Sequence, residues 1–483
     1  MSTKMNNLFL RIKENYLLFI LLWMATLLIF SYSWVPGGLD VDSCNYAVVA
    51  KEVLRSGNWL KMYDPVYGGV FYYHFPLCIW VTAFLFKLFG VSAFTAKLFS
   101  MTSAVALVGV LYYFGKMLKN QWVGFFAGFS FLITNHIIRL SRQCRMDIPV
   151  SLFIALAIFS FILAQRRNRI YYLLFGLFTF LAIFTKDVNG LFALAIVGAY
   201  LLARLRFKEL IQPLFILGLL TAAAPLLLWI WLDQNTLFYT WFHQNFMHLY
   251  KSPGFNVPWY YYIWAIFTKY GYLLPLAAYG AYLGIKEAHK NKTYEFYLLV
   301  IWVIIFPLAF SFGSQKLHYF ILPIYPAAAL MAGLAFDKII KDSLKPKIAS
   351  AFKYLLIISS IIMLAFPIKV QSKRFIKTVR MAPLMDKILE QAAQYRFISY
   401  NQDKASLLFY SEELSRIEFT RDIRYLDEVL ADPQAGLVFC YLSQEDFSKI
   451  GSATRQNCKV LLEYKDRLMT VNRACPEVTV ILP

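Results

Sequence analysis

The apolar residues of this 483-residue chain gather into long blocks that carry almost no charge. Apolar residues make up 59% of the chain and charged residues 16%, whereas a typical soluble domain has about 25% charged residues. Blocks of this length are typical of membrane-spanning helices, which satisfy their own backbone groups inside lipid. The sequence therefore predicts a polytopic all-α membrane protein. It excludes a disordered chain, a disulfide-stapled secreted domain and a porin-type barrel.

The chain is strongly basic, with 48 Lys and Arg residues against 28 Asp and Glu residues and a formal net charge of +20. In a soluble protein such a balance would suggest a nucleic-acid partner. In a membrane protein, Lys and Arg concentrate in cytoplasmic loops. We therefore expect membrane lipids as partners and no nucleic acid.

The distribution of positive charge between the apolar blocks predicts about eleven spans, with the N-terminus in the cytoplasm. We interpret the first block, 16–34, as an uncleaved span, because no small-residue cleavage site follows it. Block 76–90 has only about 15 residues, too few to cross a hydrocarbon core of ~30 Å, and predicts an interfacial helix. The other spans are predicted at 93–115, 122–138, 149–165, 171–185, 188–203, 212–232, 259–284, 295–311, 319–336 and 350–368.

Residues 370–483 differ from the rest of the chain, because acidic and basic residues are nearly balanced and the apolar runs shorten to strand length. Such runs lie at 407–410, 436–439 and 459–462, and helix-like stretches such as 381–395 alternate with them. We therefore predict a transmembrane domain over 1–369, with a first extracytoplasmic loop at about 35–92. Residues 370–483 are predicted to form a small extracytoplasmic α/β domain.

Charged residues at the outer ends of the predicted spans form four candidate features. They are Asp42 after the first span, the segment 139–147, Lys186 between two apolar runs, and Lys316 at a helix end. The segment 139–147 places three arginines and Asp147 on the outer side, against the usual distribution of positive charge. A carboxylate among arginines at the membrane surface can bind a phosphate and orient a reacting group. The alternatives are a solvated Asp42, a local ion pair at Asp147 and a surface turn at Lys186.

All four features fall on one side of the membrane under this topology. Carboxylates and cations that converge at a lipid–water boundary suit a reaction on a lipid-linked anionic substrate. A transporter more often buries its ionisable residues near the midplane, and the clear spans here are nearly free of charge at their centres. The pattern therefore favours surface chemistry over transport.

The same segments resemble the bacterial branch of the dolichyl-phosphate-mannose protein mannosyltransferase superfamily, which includes the lipid A aminoarabinose transferases and has the type C glycosyltransferase architecture. The matching segments occur in the family's order over about residues 35–330. They read Asp42-x-x-x-Tyr46-Ala47, Gly57-Asn58-Trp59, His74-Phe75-Pro76-Leu77-x-x-Trp80, Arg142-x-x-x-x-Asp147, Thr185-Lys186 and Ser314-x-Lys316-Leu317-x-Tyr319-x-x-Pro323.

The resemblance implies a membrane glycosyltransferase that moves a sugar from a polyprenyl-phosphate donor to a lipid A, lipopolysaccharide-type or other cell-envelope acceptor at the outer face of the inner membrane. By position it implies Asp42 and Asp147 as catalytic residues. The substrate-binding residues that it implies are Tyr46, His74, Arg142, Arg145, Lys186, Lys316 and Tyr319. We predict an inverting, single-displacement transfer of a hexosyl or pentosyl group, with Asp42 as general base and cations holding the phosphate.

The chain departs from the family's pattern in two places. Ser43 stands where an acid often follows the first aspartate. The aminoarabinose transferases typically read Glu-Lys-Pro where this chain has His74-Phe75-Pro76. The histidine is a candidate ligand for a divalent metal, together with His243 or His248, and no other cofactor is implied.

Two other functions agree with the same residues. A protein O-mannosyltransferase-like enzyme would use the same donor and a Ser or Thr acceptor. A flippase or transporter of an anionic glycolipid would move its substrate without covalent transfer, and inverted repeats are expected in such a protein. The sequence has no internal repeat of this kind.

Overall fold

The computed structural model describes residues 15–31, 39–71, 73–232, 257–291, 293–313, 316–343, 396–401, 404–410, 417–464 and 467–472. The predicted domain boundary at residue 370, the predicted span 350–368 and the helix-like stretch 381–395 lie outside these residues.

The described part of residues 15–343 is helical apart from its connections and one antiparallel hairpin, which consists of β1 Tyr63–Asp64 and β2 Gly69–Val70. The helices are α1 Tyr16–Phe30, α2 Val41–Ser56, α3 Leu77–Phe89, α4 Ala93–Leu118, α5 Gln121–Leu132, α6 Asn135–Ser141, α7 Asp147–Arg166, α8 Tyr171–Ala203, α9 Phe207–Leu210, α10 Pro213–Leu232, α11 Tyr261–Tyr270, α12 Leu274–Asn291, α13 Glu295–Ser311 and α14 Tyr325–Ser343.

Five of the described helical stretches are long and apolar enough to cross a membrane: α4, α7, α8, α10 and Leu322–Lys341, which contains most of α14. A sixth results if α5 and α6, which are bent by 71° at a short break, form one broken span. The described helices confirm the mostly helical, polytopic class. They are fewer than the eleven predicted spans.

The first loop folds over its own small apolar core. Helix α2 begins at its N-cap Asp40 and ends at Gly57, whose φ of +71° places it in the left-handed region that favours glycine. Block 76–90, predicted as a short interfacial helix, contains α3, whose 13 residues extend about 20 Å. Buried Val49 on α2 and Ile79 on α3 belong to one apolar cluster, so the loop presents α2 as a rigid element.

Helix α8 reverses direction in its middle, so the runs predicted as two spans, 171–185 and 188–203, are its two arms. Tyr172 in the first arm and Tyr200 in the second both contact the ring of Phe161, with ring centroids 5.9 and 6.0 Å away. A straight helix would separate the two tyrosines by about 42 Å.

The reversal occurs at Lys186 and Asp187, which leave helical geometry. Asp187 has a φ of +23°, which a residue with a Cβ rarely adopts. Gly190 lets the two arms meet, because a Cβ there would overlap the backbone of Ala182 and Ile183. The tip of this helical hairpin carries both charged side chains.

The described residues from 396 to 472 form a five-stranded mixed sheet in the order β4-β3-β5-β7-β6. Strand β3 pairs parallel with β4 and β5, and β7 pairs antiparallel with β5 and β6. The elements are β3 Arg396–Tyr400, α15 Lys404–Tyr410, β4 Ile417–Thr420, α16 Ile423–Ala431, β5 Val438–Ser443, α17 Gln444–Lys449, α18 Ser452–Asn457, β6 Lys459–Tyr464 and β7 Arg467–Val471.

Strand β6 contains the apolar run 459–462, and β5 begins within the run 436–439, but the strand expected at 407–410 is wrong. Those residues belong to α15, which docks on the first loop. Phe409 packs near Phe86 of α3, with ring centroids 6.3 Å apart, and Ser406 Oγ lies 3.5 Å from Cys44 Sγ of α2. Tertiary packing therefore overrides the local pattern in this short apolar run.

Candidate active site

Asp42 lies in the first turn of α2, where the helix dipole favours a negative charge. The helix begins at this point because the Asp40 carboxylate accepts hydrogen bonds from the Ser43 N–H group at 2.8 Å and from its hydroxyl at 2.6 Å. The side chain of Asp42 is 47% exposed. Its carboxylate is thus attached to a rigid helix end and open to a substrate.

Arg145 joins the two predicted catalytic aspartates. Its Nε donates to Asp147 Oδ2 at 2.8 Å, and its Nη1 donates to Asp42 Oδ2 at 2.8 Å and to Asp40 Oδ2 at 3.1 Å. Burial by itself would lower the pKa of Arg145, but the charges of Asp147, Asp40 and Asp42 raise it well above its ordinary value. The guanidinium therefore stays charged and ties the N-terminal end of α7 to that of α2.

Asp147, the first residue of α7, is 2% exposed and is enclosed by two cations. Its Oδ2 accepts from Arg145, and its Oδ1 accepts from Lys186 Nζ. Lys186 reaches the carboxylate because the reversal of α8 brings its tip to the start of α7. Both oxygens are engaged, so Asp147 has one orientation and no exposed acceptor.

Two tyrosines complete the walls of this cluster. The ring centroid of Tyr319 lies 4.3 Å from the Arg145 guanidinium carbon and 5.3 Å from Lys186 Nζ, so one ring face supports both cations. Tyr46 lies one turn after Asp42 on α2. Burial, and then the charge of Asp42, raise the pKa of Tyr46 well above its ordinary value, so its hydroxyl keeps its proton.

His74 forms a second charged contact beside the cluster. Its Nδ1 donates to Asp187 Oδ2 at 2.7 Å, and the backbone N–H of Phe75 donates to Asp187 Oδ1 at 2.9 Å. The imidazole side chain is 20% exposed and its ring centroid lies 6.0 Å from that of Tyr46. The buried carboxylate therefore orients the ring and leaves Nε2 as its other polar atom.

The structure places two of the predicted substrate-binding residues in other surroundings. Arg142 donates to the carbonyl oxygens of Leu28 and Ile29 at the C-terminal end of α1. Lys316 Nζ donates to the carbonyl oxygens of Gly313 at 2.7 Å and Val257 at 3.1 Å. Both cations hold backbone carbonyl groups, and a role of either in substrate binding stays a prediction.

Two carboxylates of the site were not singled out from the sequence. Asp40 had a usable signal, because an Asp three residues before Ser43 at the start of an amphipathic stretch is typical of an N-cap. Asp187 was noted only as part of the charged pair between two apolar runs. No local pattern indicates its contact with His74, since 113 residues separate the two in the sequence.

No group of three or more His, Cys, Asp or Glu side chains suited to a metal ion occurs within the described ranges. There, His74 has Asp187 as its one acidic contact. His243 and His248, the other candidate ligands, lie outside the described residues.

Comparison with known proteins shows which family and which fold this chain resembles. The family model for dolichyl-phosphate-mannose-protein mannosyltransferase matches residues 73–231. The undecaprenyl phosphate-alpha-4-amino-4-deoxy-L-arabinose arabinosyl transferase 1 of Proteus mirabilis is 27% identical over 333 residues, which are 66% of this chain and 58% of that protein. The corresponding transferase of Aeromonas hydrophila is 26% identical, over 63% of this chain and 56% of that one. The chain thus spans less than three fifths of the length of these relatives.

Solved structures share the fold at low sequence identity. ArnT from Cupriavidus metallidurans bound to undecaprenyl phosphate superimposes with a TM-score of 0.65 and 15% identity, over 100% of both chains. The oligosaccharyltransferase of Archaeoglobus fulgidus in the apo form has a TM-score of 0.61 and 12% identity, over 91% of this chain and 70% of that one.

The described apolar helices are long enough to cross a membrane several times, and the chain has the fold of these solved structures. Residues 73–231 match the dolichyl-phosphate-mannose-protein mannosyltransferase family, and the chain is similar in sequence to the aminoarabinose transferases, as its motifs predict.

Proposed function

We propose that this protein is a glycosyltransferase that moves a sugar from a polyprenyl-phosphate donor to a lipid A or lipopolysaccharide-type acceptor at the outer face of the inner membrane. The observation that carries the proposal is the linkage of an open carboxylate, Asp42, to a closed one, Asp147, through Arg145. The names of the relatives, which are undecaprenyl phosphate-aminoarabinose transferases, support the donor class.

The proposed reaction is a single displacement with inversion. The acceptor hydroxyl oxygen attacks the anomeric carbon of the donor sugar and forms the new C–O bond, while its proton passes to the Asp42 carboxylate. The bond between the anomeric carbon and the phosphate oxygen breaks, and its electron pair leaves with the polyprenyl phosphate. Arg145 and Lys186 stabilise the negative charge that develops there. Asp147 acts as a positioning residue that holds both cations.

His74 is proposed as a further contact of the donor phosphate. Its Nδ1 is bound to Asp187, so Nε2 is the ring nitrogen that can face a ligand. Tyr46 and Tyr319 complete the proposed substrate contacts, whereas Arg142 and Lys316 hold backbone carbonyl groups. A divalent metal held by His74 remains a separate proposal, tested by activity after chelation and re-addition of Mg²⁺ or Mn²⁺.

The proposed topology has a cytoplasmic N-terminus, eleven spans, and an extracytoplasmic domain over 370–483 that follows the transmembrane domain 1–369. Support comes from α15, which packs on α2, the helix that carries Asp42. The sheet would then lie on the same side of the membrane as the site. Labelling of single cysteines at exposed positions such as Arg424 with a membrane-impermeant maleimide tests this side in intact cells.

The full-length protein in lipid nanodiscs tests the reaction, with undecaprenyl phosphate-linked 4-amino-4-deoxy-arabinose or mannose as donor and lipid A as acceptor. Asp42→Asn is expected to lower transfer by about 10²–10⁴-fold with an unchanged thermal midpoint. Asp432→Asn, in an exposed turn of the sheet region, is the matched control. Full transfer by Asp42→Asn would refute the assignment of the base, and sugar found only on proteins of the wild-type strain would refute the acceptor.

A further inference from the structure

A cavity of about 370 Å³ lies between the first loop and the sheet region, directly beside Asp42. One wall consists of the first turns of α2 and the β1–β2 hairpin, and the other consists of the ends of β3 and β4 and the start of α15. Residues of the first wall are Val41, Asp42, Asn45, Val66 and Tyr67, and residues of the second are Ser399, Lys404, Ala405, Phe419, Thr420 and Arg421.

The wall from the sheet region is positively charged. Lys404 and Arg421 both line the cavity, and neither forms an ion pair with a described residue, whereas Asp42 on the opposite wall is already paired with Arg145. Lys404 Nζ lies 5.4 Å from the ring centroid of Phe419, which leaves its charge directed over an aromatic surface. Cations on this wall favour an anionic ligand.

We propose that this cavity binds the acceptor by an anionic saccharide headgroup, a sugar ring that carries a phosphate or carboxylate. The inference rests on the proposed function and specifies its acceptor. Lys404 and Arg421 bind the acidic group, and the rings of Tyr67 and Phe419 pack against the apolar face of the sugar. The hydroxyl that reacts then faces Asp42.

This assignment makes the sheet region the determinant of acceptor choice. Its cavity residues lie outside 73–231, the range that the family model matches. The volume is in the range of small-molecule sites, about 300–1,000 Å³, and fits a headgroup rather than a whole lipid.

The test uses the full-length protein in nanodiscs and two soluble probes, a glucosamine disaccharide with two phosphates and the same disaccharide without them. Binding of each is measured by calorimetry in the absence of any donor. The phosphorylated disaccharide is expected to bind at least about 10-fold more tightly, and the double variant Lys404→Gln/Arg421→Gln is expected to remove that preference. The matched control is Lys459→Gln/Arg424→Gln, two exposed cations of the sheet region that do not line the cavity.

Transfer assays with intact lipid A then separate the two proposals. The double variant should raise the acceptor KM about 10-fold and leave the donor KM unchanged. Equal binding of both disaccharides to the wild-type protein, or an unchanged acceptor KM in the variant, overturns the acceptor site while the proposed function stands. Charge-dependent binding without transfer to any acceptor supports the site and refutes the proposed function. Preferred transfer to a serine or threonine peptide overturns the saccharide as ligand.

Discussion

The two predicted catalytic carboxylates occupy equivalent positions and have opposite surroundings. Asp42 and Asp147 each lie in the first turn of a helix, and both bind Arg145. Asp42 is 47% exposed and is bound by one cation, whereas Asp147 is 2% exposed and is bound by two. The helix end sets the position of each carboxylate, and the cations around it decide whether its oxygen atoms stay open to a substrate.

The largest combined effect is expected at the closed carboxylate. Asp147→Asn leaves Arg145 and Lys186 buried beside a neutral side chain, so the free energy of unfolding should fall by about 3–5 kcal/mol, and transfer should be lost with it. Thermal denaturation in nanodiscs measures the first effect and a transfer assay the second. Asp42→Asn, which affects an exposed carboxylate, should lower transfer without this loss of stability.

A double variant sharpens this prediction. Asp147→Asn/Lys186→Gln removes one buried cation together with the carboxylate, so part of the lost stability should return while transfer stays absent. If Asp147→Asn alone keeps the wild-type thermal midpoint, the carboxylate is not a buried anchor and its contrast with Asp42 disappears.

The difference between the two carboxylates was not predictable from the sequence, although their presence on one side of the membrane was. The charge rule and the motif order place Asp42, Asp147 and Lys186 near a common surface, and the structure brings them together through Arg145. Burial depends on the reversal of α8, which follows from packing at Gly190. A hydropathy pattern shows two apolar runs, but it does not show how closely the second run packs against the first.

The same distinction between local and long-range information applies to the fold. Long apolar helices such as α7 were predicted within about two residues of their observed start, because their pattern is local. Residues 407–410 were predicted as a strand and form part of α15, because a short apolar run takes the structure that its docking partner allows. The cavity between α2 and the sheet combines residues more than 350 positions apart, such as Asp42 and Lys404, and no pattern in the chain indicates it.

Variants of a third carboxylate, Asp187, test whether the orientation of His74 matters for transfer. Asp187→Gly removes the acceptor of His74 and suits the φ of +23°, so the fold should be retained and the backbone relaxed. Transfer should nevertheless fall about 10-fold, because His74 loses its orientation. Asp187→Asn, which keeps an acceptor oxygen, should retain more activity. Equal activity of Asp187→Gly and wild type would remove His74 from the site.

Arg142 and Arg145, two of the three arginines of the segment 139–147, offer a comparison of smaller size. Arg142→Gln removes hydrogen bonds to the end of α1 and should lower the free energy of unfolding by about 1–3 kcal/mol. Its transfer rate per folded molecule should stay within about threefold of wild type, because the activation free energy should hardly change. Arg145→Gln should abolish transfer. A strong loss of activity in Arg142→Gln at normal stability would place Arg142 in direct contact with substrate, as the sequence motif predicts.

The smallest effect concerns a histidine beside the closed carboxylate. Burial, and then the charges of Lys269 and Arg139, lower the pKa of His318 to about 4 from the ordinary 6.5. Between these values the unfolded chain binds the proton that the folded protein excludes, so the contribution of His318 to stability is complete above pH 6.5 and is lost as the pH falls towards 4. The thermal midpoint should therefore drop less between pH 7 and pH 5 in His318→Gln than in wild type, by about 2 °C.

The control is His289→Gln, at an exposed histidine, which should keep the wild-type dependence of the thermal midpoint on pH. If both variants keep it, the folded protein does not exclude the proton from His318.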